Sequence, residues 1–223
     1  MKLMFVVWGD TSSLRDPALH ERLAAVGVRR LQVNLDDDPV ADALRLQTFD
    51  TPVAAVVSVW TDRDGADVEV ADVLAGPGTG TTVAGWEVEE RRPLDPPETA
   101  DGSRADALAN IAVLRRPDEL EREEWLRRWL EHHTPVAIET QATFGYLQNV
   151  VVRAVTPDAP RVDAFVEELF PAEAVADIHA FYGSGGDDEE LTRRMARLME
   201  SVATIGADRD LDLVPTSRYL YDL

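Results

Sequence analysis

Short apolar runs alternate with amphipathic segments along the whole chain. Lys2–Trp8 (KLMFVVW) is almost wholly apolar and of strand length, and Pro17–Val26 then places Leu19, Leu23 and Val26 at helical spacing before Gly27. Val28–Leu35 alternates and ends in an aspartate run, and Pro52–Trp60 is rich in β-branched residues, so both are expected to be strands. A short helix near Asp67–Leu74 follows. Gly85–Arg91 next alternates Trp86, Val88 and Glu90 against Glu87, Glu89 and Arg91. The first half therefore reads strand, helix, strand, strand, helix, strand.

The second half repeats that order. Leu108–Leu114 is an expected strand, Asp118–His133 a helix, Phe144–Val155 and Val162–Phe170 two strands, Ala172–Tyr182 and Asp188–Thr204 helices, and Val214–Tyr221 a last strand. A local echo, VADV at Val70–Val73 and VADI at Val175–Ile178, supports a duplication. Between the halves, Arg92–Arg104 carries three prolines and little apolar content, which suits a linker. The expected organisation is thus a ferredoxin-like half over 1–92, a linker over 93–105 and a second half over 106–223. A βαββαβ unit builds a four-stranded antiparallel sheet with helices on one face, leaving the other face to be covered. The fold class is α+β: two such halves packed sheet to sheet as an α+β barrel, within one chain or across a dimer.

Two glycine-rich segments carry no phosphate-site logic. Gly76–Thr82 (GPGTGTT) follows a helix and precedes a strand, the reverse of a phosphate-binding loop, and reads as a turn. Gly183–Glu190 (GSGGDDEE) would meet a phosphate with carboxylates, and Asp187 with Glu190 instead fits a helix start.

Composition narrows the chemistry. The chain has 223 residues and no cysteine, which removes disulfides, thiolate nucleophiles and thiolate metal sites. Lys2 is the only lysine and suits neither a phosphate loop nor a Schiff base. A net charge of −20 with no basic stripe argues against nucleic acid and anionic membranes as partners. No leader peptide or membrane span is apparent at the start or elsewhere, so a cytoplasmic protein is expected.

Two of the four histidines lie in WLEHHTPVAIETQATFGYLQN, Trp129–Asn149. Trp125, Trp129 and His133 recur at helical spacing, placing His133 on the buried stripe and His132 at its edge. Adjacent helical residues diverge by roughly 100°, so the pair cannot chelate one metal ion and no metal site is expected. Pro135 should end or kink the helix, with Thr134-Pro135 starting a short second one, and histidines at a helix end also complement its dipole. On the following strand, alternation puts Phe144, Tyr146 and Gln148 on one face, a mixture suited to a mostly apolar pocket. Of Glu167 and Glu168, one should point inward and the other into solvent.

At these residues the sequence resembles the EthD family of the dimeric α+β barrel superfamily. The resemblance rests on a Trp-containing helix running into His133-Thr134-Pro135, on Tyr146-Leu147-Gln148-Asn149, and on Asp163, Glu167 and Phe170 of the next strand. It spans about Leu108–Tyr221, and the first half looks like a diverged copy. Ala164 stands where the family usually has Gly and Leu169 where it often has Trp. It implies an apolar cavity, a homodimer, and cofactor-free chemistry such as dehydration, decarboxylation or cyclisation of a small apolar metabolite. On that reading His133 is the general acid/base, with Tyr146 and Gln148 holding an oxygen. Trp129, His132, Phe144 and Glu167 would touch the ligand. A non-catalytic binding protein is the alternative, and haem held by His133 or His179 a third reading.

Overall fold

The computed structural model describes residues 1–76 and 81–223. Its strands are β1 (Lys2–Trp8), β2 (Val28–Leu35), β3 (Ala55–Thr61), β4 (Thr82–Leu94), β5 (Asp101–Arg104), β6 (Leu108–Leu114), β7 (Gly145–Ala154), β8 (Ala164–Phe170) and β9 (Leu211–Asp222). The helices are α1 (Pro17–Ala25), α2 (Asp67–Ala75), α3 (Arg122–Arg127), α4 (Thr134–Thr140), α5 (Ile178–Tyr182) and α6 (Asp188–Thr204). A π-helical turn over Arg128–His133 joins α3 to α4. The turn expected over Gly76–Thr82 falls largely on residues 77–80, outside the described residues.

Each half has the ferredoxin-like strand order expected of it, β2-β3-β1-β4 and β7-β8-β6-β9. The halves then join edge to edge inside one chain. β4 pairs antiparallel with β7, and β2 pairs antiparallel with β9, closing an eight-stranded α+β barrel without a second copy. Closure removes the open edges that a four-stranded sheet would leave. The stretch expected as a linker is built into this wall: β4 runs on to Leu94, and β5 pairs with β9. Proline content hid a strand there, because β5 contacts only one neighbour and tolerates the prolines that precede it.

Alternation along closed strands sends residues to two environments. Inward, one part of the barrel is apolar, with Met4, Val6, Val56, Trp86, Ile111, Val113, Phe165 and Val214 in contact, the Trp86 and Phe165 rings 5.3 Å apart. The other part is polar. Glu167, only 2% exposed, accepts hydrogen bonds from Gln32 Nε2 at 2.9 Å and Asn34 Nδ2 at 3.0 Å, and lies 3.2 Å from Arg218 Nε. Arg218 also donates to Glu98 at 2.8 Å, where Arg30 and Arg92 converge at 2.6 and 3.0 Å. Burial alone would raise the Glu98 carboxyl, but hydrogen bonds from Arg218 and Arg92 pull it down to about 2. Lys2 closes the network on Glu90 at 2.8 Å over the Trp60 ring.

Outward, α1 and α2 cover Leu3, Phe5, Val57 and Val59 of the first half. The helices from α3 to α6 cover Ala112, Leu114, Tyr146, Val150 and Val166 of the second. Asp187 caps α6, accepting from Glu189 and Glu190 backbone N–H groups at 2.9 and 3.1 Å. The Glu190 side chain turns instead to Arg193 and Arg194.

Glu167→Ala strips the carboxylate from a buried network and leaves its donors unsatisfied. Urea unfolding should show a loss of about 3–5 kcal/mol, the range for breaking a buried pair, against under about 1 kcal/mol for an exposed pair such as Arg209–Glu119.

Candidate functional site

The chain's second half holds an apolar cavity of about 240 Å³ between the outer face of the sheet and the covering helices. Its floor comes from β6, β7, β8 and β9, its roof from the π turn, from Gln141 at the end of α4, and from α5 and α6. Residues of the loop after β2, Leu44 and Leu46, reach across to its mouth beside Met199. Those three are 67%, 44% and 50% exposed, so the entrance has an apolar rim.

Local sequence explains the roof. Pro135 has no N–H to give to a preceding carbonyl. The helix was expected to end or kink there with Thr134 as a cap, but Thr134 is itself helical (φ −55°, ψ −47°) and the chain continues into α4. A wider turn absorbs the proline: Thr134 gives both its backbone N–H and its Oγ1, the latter at 2.9 Å, to the carbonyl of Trp129. Such π turns often mark functional positions. This one turns Trp129 and His133 onto the sheet. His132 points outward, exposed, with Nε2 2.6 Å from Arg127 Nη1, and is no part of the cavity.

On the floor, pairing aligns a transverse polar row. Tyr146 of β7 is the cross-strand partner of Glu168 of β8, which is in turn the partner of Asn110 of β6. All three line the cavity. Gln141, with its amide oriented to satisfy both ends, donates to Glu168 Oε1 at 3.1 Å and to the Ala137 carbonyl at 3.2 Å. Asn110 is 3% exposed, and its Oδ1 has no hydrogen-bond partner among the described residues. Buried amide oxygens are normally paired, which makes this unpaired acceptor on the cavity lining unusual.

Electrostatics separates the titratable groups. Burial raises the Glu168 carboxyl to about 7, while burial lowers His133 to about 4. Tyr146 is pushed well above the usual phenol value, first by burial and then by Glu168, and so stays protonated. The cavity therefore holds a carboxyl raised toward neutrality, an imidazole that is neutral at pH 7 and bonded through Nδ1 to Ser201 Oγ at 3.0 Å, and a protonated phenol.

The expected site residues thus separate. Trp129, His133 and Tyr146 come together in the cavity. Gln148 lies on the same face, but its Nε2 is committed to Thr134 Oγ1 at 2.7 Å and it anchors the helix rather than a ligand. Phe144 precedes β7 and lines a different cavity. Glu167 faces the barrel interior, locked in the network above. Glu168, expected in solvent, is the carboxylate of the cavity. The assumption that one face of β8 meets water fails because the barrel covers one face and the helices the other, as the near-continuous apolar run of AFVEELF signalled. Asn110 had a similar signal, a lone amide inside the apolar LANIAVL.

Haem fits poorly. No Arg or Lys lines the cavity to meet propionates, which would face Glu168 and Asp208. His179 lies off the cavity, held to Ser184 Oγ at 2.7 Å. Among the described residues, no group of three or more His, Asp and Glu side chains could hold a metal ion. No helix among them is long and apolar enough to cross a membrane.

A closed barrel of two ferredoxin-like halves with a cavity between sheet and helices places the fold in the dimeric α+β barrel type. Residues 117–196, from the approach to α3 into α6, match the EthD domain family model, which meets the resemblance seen in the second half. Among solved structures, an anthrone oxidase-like protein superposes with a TM-score of 0.54 at 13% identity, covering 99% of this chain and 92% of that one. A putative monooxygenase from Lactobacillus acidophilus gives 0.49 at 11%, covering 99% and 95%. A mutant chlorite dismutase from Candidatus Nitrospira defluvii also gives 0.49 at 11%, covering 97% and 89%. No curated protein matches the chain.

The two shifted groups give opposite pH signatures. The folded value of Glu168 lies above the ordinary 4.5, so the native state keeps a proton that the unfolded chain loses, and stability falls as pH rises from 4.5 to 7. His133 lies below its ordinary 6.5, so its contribution rises between pH 4 and 6.5. In wild type the two largely offset. Glu168→Gln removes the falling one, and its stability relative to wild type should increase by up to about 3 kcal/mol between pH 5 and 8 in urea titrations.

Proposed function

We propose that the chain is a small-molecule enzyme that moves protons without a cofactor, acting on a small, mostly apolar, carbonyl-bearing metabolite, with Glu168 as general acid/base. One observation carries this reading: a carboxyl held near neutrality stands between Tyr146 and Asn110 on the floor of an apolar cavity. A proton-transfer group works best when its pKa lies near the working pH. His133, first in line from sequence, is poorly matched to that task at about 4.

In this reading Glu168 removes a proton from carbon next to the carbonyl, and the electron pair moves onto the carbonyl oxygen. The hydroxyl of Tyr146 and the amide of Asn110 donate hydrogen bonds to the resulting enolate. Glu168 then returns the proton, either to a departing hydroxyl, which leaves as water, or to carbon. The aromatic and aliphatic walls exclude bulk water, which strengthens each of these interactions. Trp129, Val166, Phe181 and Leu198 contribute to those walls. Ligand binding without turnover is the second reading, favoured by the enclosed and neutral state of His133.

A test needs no knowledge of the natural substrate. With 2-tetralone in D₂O, wild type should accelerate α-proton exchange seen by NMR, rising through an apparent pKa near 7. Glu168→Gln should lose about 10²-fold or more of that rate while still binding the ketone. Equal exchange by the two proteins sinks the catalytic assignment; binding without exchange by either supports the second reading.

A further inference from the structure

A second cavity, of about 250 Å³, lies at the barrel mouth beneath the segment that carries β5. It is separate from the first. Strand β8 divides them, turning Glu168 toward the helices and its neighbour Leu169 toward the mouth, and Phe144 flanks Leu169 there. The segment over the mouth is fitted in place. A Cβ added at Gly145 would stand 2.7 Å from Pro96, and Gly102 takes a positive φ of 75° against the Tyr221 ring. Glu98, gripped by Arg30, Arg92 and Arg218, fastens it to the wall.

Two arginines line this space. Arg218 is 3% exposed and spends Nε and Nη2 on Gln32, Glu98 and Glu167, leaving Nη1 without a partner among the described residues. Arg104 gives Nε to Ser217 Oγ at 2.7 Å and Nη2 to the Ala107 carbonyl at 3.3 Å. Among the described residues its Nη1 has no partner and the side chain pairs with no carboxylate. Arg104 thus brings to the edge of an apolar hollow a positive charge that no neighbouring acid among the described residues neutralises. Phe144, Leu169 and Leu220 supply the apolar surface, and Thr99 and Ser103 add hydroxyls at the rim, where Asp106 is exposed.

We propose that this cavity is a second binding site, for a small carboxylate with a flat apolar body. Arg104 meets the carboxylate through its free nitrogen, and Arg218 Nη1 reinforces it from below, since planar guanidinium groups suit carboxylate oxygens. Phe144 and Leu169 take the apolar body. The site is independent of the proton chemistry assigned to Glu168.

Benzoate is the probe, titrated into ¹⁵N-labelled full-length protein at pH 7. Saturable shifts should centre on Arg104, Phe144 and Leu220. Arg104→Gln should weaken binding at least about tenfold, and neutral benzamide should bind wild type at least about tenfold more weakly than benzoate. The benzamide comparison uses unaltered protein, so it stands even where the variant loosens the segment. The proposal is overturned if benzoate gives no saturable shift, if shifts centre on Trp129 and Tyr146, or if benzamide binds as tightly as benzoate.

Discussion

Closure of the sheet is the constraint on which the rest of this structure depends. Once β2 meets β9 and β4 meets β7, every barrel strand has two hydrogen-bonded neighbours and the inner face is sealed from water. Sealing makes the interior an exacting place for polar groups. It tolerates Glu167 and Arg218 only because Gln32, Asn34, Glu98 and their partners satisfy them. It also fixes where a ligand can go. With the barrel filled by its own side chains, the two cavities described above lie outside the sheet, one under the helices of the second half and one at the mouth.

The same closure governs the chemistry of neighbouring residues. Glu167 and Glu168 are adjacent on one strand, Glu167 buried inside the barrel and Glu168 half-buried on the cavity floor, and they differ in kind. Glu167 sits among donors and an arginine and serves the wall. Glu168 has the amides of Gln141 and Asn110, the Tyr146 phenol and otherwise apolar company, with no cation beside it among the described residues, so burial disfavours its charged form. A one-residue change of register would exchange these roles, because the side-chain period of a strand is two.

The helix over the cavity shows how a local rule is bent for position. Pro135 removes a backbone donor and would be expected to break the helix. The π turn before it keeps the chain helical, and the doubly used Trp129 carbonyl holds Thr134, which in turn receives Gln148 from the sheet. Helix and strand are thereby pinned to each other at the point where Trp129 and His133 enter the cavity wall.

Much of the fold was legible in the sequence. Apolar periodicity placed each barrel strand and most helices, the repeated order of elements indicated two ferredoxin-like halves, and the Trp129–Asn149 stretch led to one wall of the cavity. These are consequences of local pattern, which the chain carries within a few residues. What only tertiary structure decided was which edges pair, that Arg92–Arg104 forms part of the wall, and which carboxylate of an adjacent pair faces the cavity. Asn110 and Glu168 meet on the cavity floor because β6, β7 and β8 align at one register under one set of helices. Periodicity assigns a side chain to one of two faces. It does not say what covers each face, and here that cover sets the proton affinity of Glu168 and His133.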